Sequence, residues 1–129
     1  MEYYFNKTLT DMTFEEVIDK ITLALKEQGF GILTEIDIKT TLKNKLDVDF
    51  PNYKILGACN PAFAYKALLA ENKIGTMLPC NVIVRETKNG AIEVAAVDPI
   101  ASMMSVKNED LAEIADEVRN KLKKAVTSL

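Results

Sequence analysis

The 129-residue chain contains no histidine and no tryptophan. Without histidine there is no imidazole to act as a general base near neutral pH, no Ser-His or Cys-His dyad, and no imidazole metal ligand. Any chemistry must come from Cys, Asp, Glu, Lys, Tyr, backbone amides or a bound cofactor. There are only two cysteines, too few for a structural zinc site unless a second copy or a carboxylate completes the shell. No window approaches the ~18 apolar residues of a membrane span. The opening Met1-Glu2-Tyr3-Tyr4-Phe5-Asn6-Lys7 lacks the basic-then-apolar pattern of a signal peptide. The expectation is a cytoplasmic protein with reduced thiols and no membrane partner. A strong excess of one charge is missing as well. Sixteen Lys and Arg against 19 Asp and Glu give a net charge of −3 and a pI near 5.0, so no nucleic-acid partner is expected. Repeats, linkers and low-complexity tracts are absent, which leaves a single domain over residues 1–129.

What is present suits an ordinary globular core: 48% hydrophobic and 27% charged residues. Residues 2–9 are aromatic and β-branched and predict a strand. Thr13 with Glu16 three residues on makes a capping box, and Met12 and Val17 can staple it. Phe14, Val17, Ile18, Ile21, Ala24 and Leu25 follow at helical spacing, and Gly29 closes that helix. Residues 30–36 predict a second strand. Asp37 then caps a short helix over Ile38, Leu42 and Leu46, and a loop around Pro51 leads to a third strand over 53–59. Asn60 is a natural N-cap, with Pro61 at the first position of a helix running to about Ala70. A strand over 80–86, a turn at Lys88-Asn89-Gly90 and a strand over 91–97 predict a β-hairpin, ended by Asp98-Pro99. The last helix starts near Asn108 and carries Leu111, Ile114, Ala115, Val118, Leu122, Ala125 and Val126 on one face. Acids at its start and lysines at its end complement the helix dipole.

Two long amphipathic helices need a sheet against which to bury their stripes. The fold class is therefore α+β: a two-layer sandwich of a mostly antiparallel sheet with helices on one face. The strand 80–86 is apolar on both sides, as Val82, Ile83 and Val84 show. Burying its second face predicts a homodimer.

The dipeptide Cys-Asn occurs twice, in Ala58-Cys59-Asn60-Pro61 and in Pro79-Cys80-Asn81, each at the border of a strand. Together with Gly29 to Asp37, Leu42-Lys43, the segment Tyr53 to Pro61, Gly75 to Val84 and Val97-Asp98-Pro99, these segments resemble the domain-of-unknown-function family 302 over nearly the whole chain. The resemblance implies a fold like that of the TATA-binding protein, with β-α-β4-α order. It does not imply DNA binding, since fold is not function, and the family carries no assigned activity.

The candidate ligand-binding residues are Cys59, Asn60, Cys80, Asn81, Lys43, Asp37 and Asp98. Cys59 precedes a helix start, where free amides favour a thiolate and an anion; the structural alternative is a small buried side chain at a strand end. Cys80 could share its space, as a redox partner or as half of a two-thiolate site for a soft metal such as Cu(I) or Zn(II). Met77, Met103 and Met104 could add thioethers, though methionine at such spacing is commonly core filler. Asn60 reads chiefly as a cap. Asn81 enters an apolar strand, where a buried amide must be bonded or face a pocket. Asp37 and Asp98 read chiefly as a cap and a turn opener. Lys43 could pair with Asp37 or meet an anion. No cofactor is specified. The leading expectation is a dimeric module that binds a small anionic or thiophilic ligand near the two Cys-Asn motifs. The alternatives are a thiol enzyme with Cys59 as nucleophile and Cys80 as resolving partner, and an assembly domain whose motifs only build corners.

Overall fold

A computed structural model describes residues 2–129. Five strands, β1 (Tyr4–Leu9), β2 (Gly31–Asp37), β3 (Tyr53–Cys59), β4 (Cys80–Glu86) and β5 (Ile92–Val97), form one sheet in the order β1-β5-β4-β3-β2. Every neighbouring pair is antiparallel. The helices are α1 (Phe14–Glu27), α2 (Ile38–Leu46), α3 (Pro61–Ala70), α4 (Pro99–Met103) and α5 (Glu109–Thr127), with a 3-10 turn at Ile74–Met77. The expected α+β sandwich is thus present. Among the described residues, no helix is long and apolar enough to cross a membrane.

The ends of α1 form as the sequence dictates. Thr13 and Glu16 exchange side-chain and backbone bonds in a capping box. At the other end Gly29 turns the chain with φ 87°, and the amides of Gly29 and Phe30 bond to Lys26 O and Leu25 O. This is a Schellman motif, with Phe30 and Leu25 both buried beside it.

Strand alternation sorts the sheet into two faces. Leu56, Ala58, Cys80, Val82, Val84, Ile92, Val94 and Ala96 point toward α1 and α5, where they meet Val17, Ile21, Leu25, Leu122 and Val126. Each fully buried aliphatic side chain of this core contributes about 1.5–3 kcal/mol. A second, smaller cluster of Ala67, Ile74 and Leu111 joins α3 and the 3-10 turn to α5. The opposite face of the sheet carries the alternate residues and no long helix. α2 packs lightly against β2 and β3 and has no buried residue.

Two elements depart from the expected order. α4 and the 3-10 turn fill stretches read as connections. The signal for α4 was the same as for α3: an Asx residue followed by Pro, here Asp98-Pro99.

Candidate functional site

The two cysteines meet one cavity. β3 and β4 pair with Ala58 opposite Cys80, so Cys59 lies diagonally across from Cys80 at the point where β3 leaves for α3. Both line a cavity of about 340 Å³ walled by α3, α5 and the segment around Leu78-Pro79. Phe30, Phe63, Met103, Ile114 and Val118 are among its lining, together with the exposed Leu33 and Leu68. Asn60 is the only side chain of the lining with a hydrogen-bonding nitrogen or oxygen. Such a wall suits an apolar guest and offers an anion no cation.

The thiols differ. Cys59 is half-buried and Cys80 is buried. Burial, with the neighbouring Cys59 adding to it, pushes the Cys80 thiol up to about 11. Cys80 is therefore a neutral thiol at physiological pH, a poor nucleophile and a poor metal ligand. Among the described residues, no group of three or more Cys, Asp or Glu side chains could hold a metal ion. Of the methionines, Met103 reaches the cavity, Met77 packs in the smaller core cluster, and Met104 is exposed.

Asn60 occupies the N-cap position of α3, but its side chain makes no capping bond. Its Nδ2 donates instead to Gln28 O, at 3.3 Å, at the end of α1. The expected cap is thus a tie between the start of α3 and the end of α1.

Asn81 does not join this site. Successive strand residues face opposite ways, so Cys80 points to the helices while Asn81 is exposed on the open face. There it borders a shallow concavity with Tyr3, Tyr4, Tyr53, Arg85 and Glu93. Arg85 Nε donates to Glu93 Oε1 at 2.6 Å and Asn6 Nδ2 donates to Glu93 Oε2 at 2.8 Å. These bonds hold the Glu93 carboxyl below the usual carboxylate range, Asn6 contributing most. This trio was missed in the sequence, although counting outward from the hairpin turn places Arg85 opposite Glu93.

The remaining candidates lie elsewhere. Asp37 caps α2 by accepting from Thr40 N at 3.0 Å, which lowers its pKa. Lys43 does not pair with Asp37. It bridges Asp47 at 3.0 Å and Asp49 at 3.3 Å, all on the exposed surface, where such pairs contribute little. Asp98 is buried: Oδ1 accepts from Ile100 N at 3.0 Å, capping α4, and Oδ2 accepts from Arg119 Nε at 3.2 Å. The Arg119 guanidinium also covers the Phe5 ring, 5.1 Å from its centroid. Asp98 therefore fastens β5, α4 and α5 together.

The model of the domain of unknown function DUF302 matches residues 5–129. No curated protein matches the chain. Among solved structures, an uncharacterized conserved protein DUF302 from Bacillus stearothermophilus is similar, with a TM-score of 0.90, 25% identity, and 98% of each chain covered. The chain belongs to the DUF302 family of domains of unknown function.

Proposed function

We infer that this domain is a small-molecule binding module that takes a compact, largely apolar ligand into the cavity beside Cys59 and Cys80. The observation that supports the reading is the cavity itself: about 340 Å³, at the lower end of ligand-pocket sizes, with an apolar wall and a single carboxamide, Asn60, in its lining. The anionic half of the original expectation finds no cation in that wall. The thiophilic half retains support from Cys59, which is half-buried in the same wall. A thiol enzyme gains less support, because Cys80 stays protonated at neutral pH.

The test uses a neutral naphthalene fluorophore, 6-propionyl-2-dimethylaminonaphthalene, titrated into the folded protein. Saturable binding with one site per chain is expected. A Cβ at Gly75 would meet only Leu68 Cδ2, at 3.9 Å, so Gly75→Val can fill the cavity from within, and Ala64→Phe can do so from α3. Both should weaken binding at least roughly tenfold, about 1.4 kcal/mol. If both filled variants bind the probe as wild type does, or if wild type shows no saturation, the reading fails.

A further inference from the structure

We propose that the cavity is a lane for one unbranched hydrocarbon chain, entered beside β2 and closed at α4. This rests on the ligand reading above and gives the guest its shape. The register of the sheet carries it. Ile32 stands opposite Ala58, and Ala58 opposite Cys80. Counting on from Val82 opposite Ala96 sets Cys80 level with Asp98. The lining residues Leu33, Cys59, Cys80 and Pro99 each fall on this row or next to it. The cavity therefore runs across the ends of four strands, from β2 through β3 and β4 to β5, three strand spacings or about 14 Å.

Burial changes in one direction along the row. Leu33 is 67% exposed, Cys59 half-buried, and Cys80 and Pro99 buried. α5 packs on α4 and adds the buried Ala115 and Val118 to the lining. The exposed Leu68 and Gly75 belong to α3 and the 3-10 turn, which form the outer wall. One end of the lane is thus open to water and the other is blind. Leu33 owes its place at the open end to a bulge. Ile32 and Thr34 face consecutive residues of β3, and Leu33 between them has no partner. The bulge leaves a large apolar side chain in solvent at the edge of the cavity, where covering it with a guest's hydrocarbon is favourable.

The dimensions select the guest. A volume of about 340 Å³ spread over about 14 Å leaves a cross-section of roughly 24 Å². Carbon atoms pack about 3.5–4.0 Å apart, so a lane of that section, about 5 Å wide, takes one zigzag chain and no second beside it. A zigzag of about 1.5 Å bonds advances about 1.25 Å per carbon, so about eleven carbons fill the lane. The lining has no charged side chain, so a charged or strongly hydrated head stays outside, beside Leu33.

The test is calorimetric titration of the whole chain with n-alkanols from 1-pentanol to 1-decanol. Affinity should rise about fourfold per methylene throughout the series. A round cavity of the same volume is only about 9 Å across and would stop rewarding length near seven carbons. 1-Adamantanol holds the same number of carbons as 1-decanol in a ball, and should bind at least roughly tenfold more weakly because it overpacks the lane. Leu33→Asp changes an exposed position and should leave circular dichroism unchanged, so failure to fold cannot mimic the result. It should weaken 1-decanol at least roughly tenfold and 1-pentanol less than about twofold, because the short chain lies at the blind end. A plateau near heptanol overturns the proposal, as does 1-adamantanol binding as well as 1-decanol, or a Leu33→Asp loss equal for the short and the long chain. Alkanols that fail to bind while the naphthalene fluorophore binds also overturn it and leave the ligand reading standing. If neither binds, both fall.

Discussion

Pro79 lies over Gly57, and the contact joins the two Cys-Asn segments of the sequence. Gly57 is buried in β3, and a Cβ built on it would stand 2.8 Å from Pro79 Cγ and overlap Thr34 Oγ1 from β2. The glycine of Gly-Ala-Cys-Asn-Pro is thus required by close approach, because a proline and a threonine occupy the space of its side chain. Gly57→Ala should destabilise the fold by about 1–3 kcal/mol, the range for overpacking. Urea unfolding measures it, and Gly57→Ala with Thr34→Ser should recover little, since Ser keeps the clashing oxygen. Thr34→Ala with Gly57→Ala should recover more.

Asn60 and Gly29 form a second such contact, between the start of α3 and the end of α1. A Cβ at Gly29 would lie 3.0 Å from Asn60 Nδ2, and the backbone there has φ 87°. Gly29→Ala combines a left-handed backbone with that contact and should cost about 1–2 kcal/mol. Asn60→Asp separates the two roles assigned to Asn60. A helix cap tolerates Asp as well as Asn, whereas a donor to Gln28 O cannot be replaced by a carboxylate. Asn60→Asp is therefore expected to be less stable than Asn60→Ala, with Asn60→Ala itself costing about 0.5–1.5 kcal/mol. Thermal and urea unfolding of the two variants decide it; an Asn60→Asp variant as stable as the wild type would point back to capping.

Asp98 and Arg119 are worth more than the exposed pairs around Lys43. The Asp98 side chain is 10% exposed, and truncating it leaves Ile100 N and Arg119 without their acceptor. Asp98→Ala should cost about 2–4 kcal/mol, while Lys43→Ala should change stability by less than about 0.5 kcal/mol. In a double-mutant cycle, Asp98→Ala and Arg119→Ala together should cost clearly less than the sum of the two single changes.

Glu93 gives the open face an acid-sensitive link. Its folded pKa is depressed below the ordinary 4.5, first by Asn6 and also by Arg85. A depressed carboxyl contributes stability that is fully present above pH 4.5 and is lost as pH falls through the lower folded value. Glu93→Gln should flatten the acid limb of the stability curve, measured as the denaturant midpoint against pH.

The sequence made the framework readable where the signals are local. The capping box at Thr13, the Gly29 stop and the hairpin around Gly90 each depend on residues a few positions apart, and each is where it was expected. Lys43 shows a local signal that was overlooked: Asp47 is its i+4 neighbour, a better partner than Asp37 on helical geometry alone. Asn81 shows another. The period of a strand already forbids Cys80 and Asn81 from facing one site, so the second Cys-Asn pair had to split between the two sides of the sheet. Asn60 was beyond reach for a different reason. Its acceptor is 32 residues away, and only the fold brings the end of α1 beside the start of α3. The convergence of Cys59 and Cys80 on one cavity likewise depends on the register of β3 against β4, which no spacing in the chain encodes.

That convergence sets the last expectation, which concerns alkaline pH. Cys80 is raised from 9.0 to about 11 in the folded protein, burial first and Cys59 second. A raised folded pKa means the unfolded chain ionises first as pH climbs. The stability is thus fully present below pH 9.0 and is lost as pH rises through about 11, a loss on the order of 2 kcal/mol. Cys80→Ala should remove that alkaline decline while costing about 1–2 kcal/mol at neutral pH, where the sulfur fills the core. Reaction with 5,5′-dithiobis(2-nitrobenzoate) supplies an independent readout. Cys59 should react in the native protein, and Cys80 only after denaturant is added. Equal native rates for both thiols would mean that Cys80 reaches solvent, and the alkaline slope should then vanish from the wild type as well.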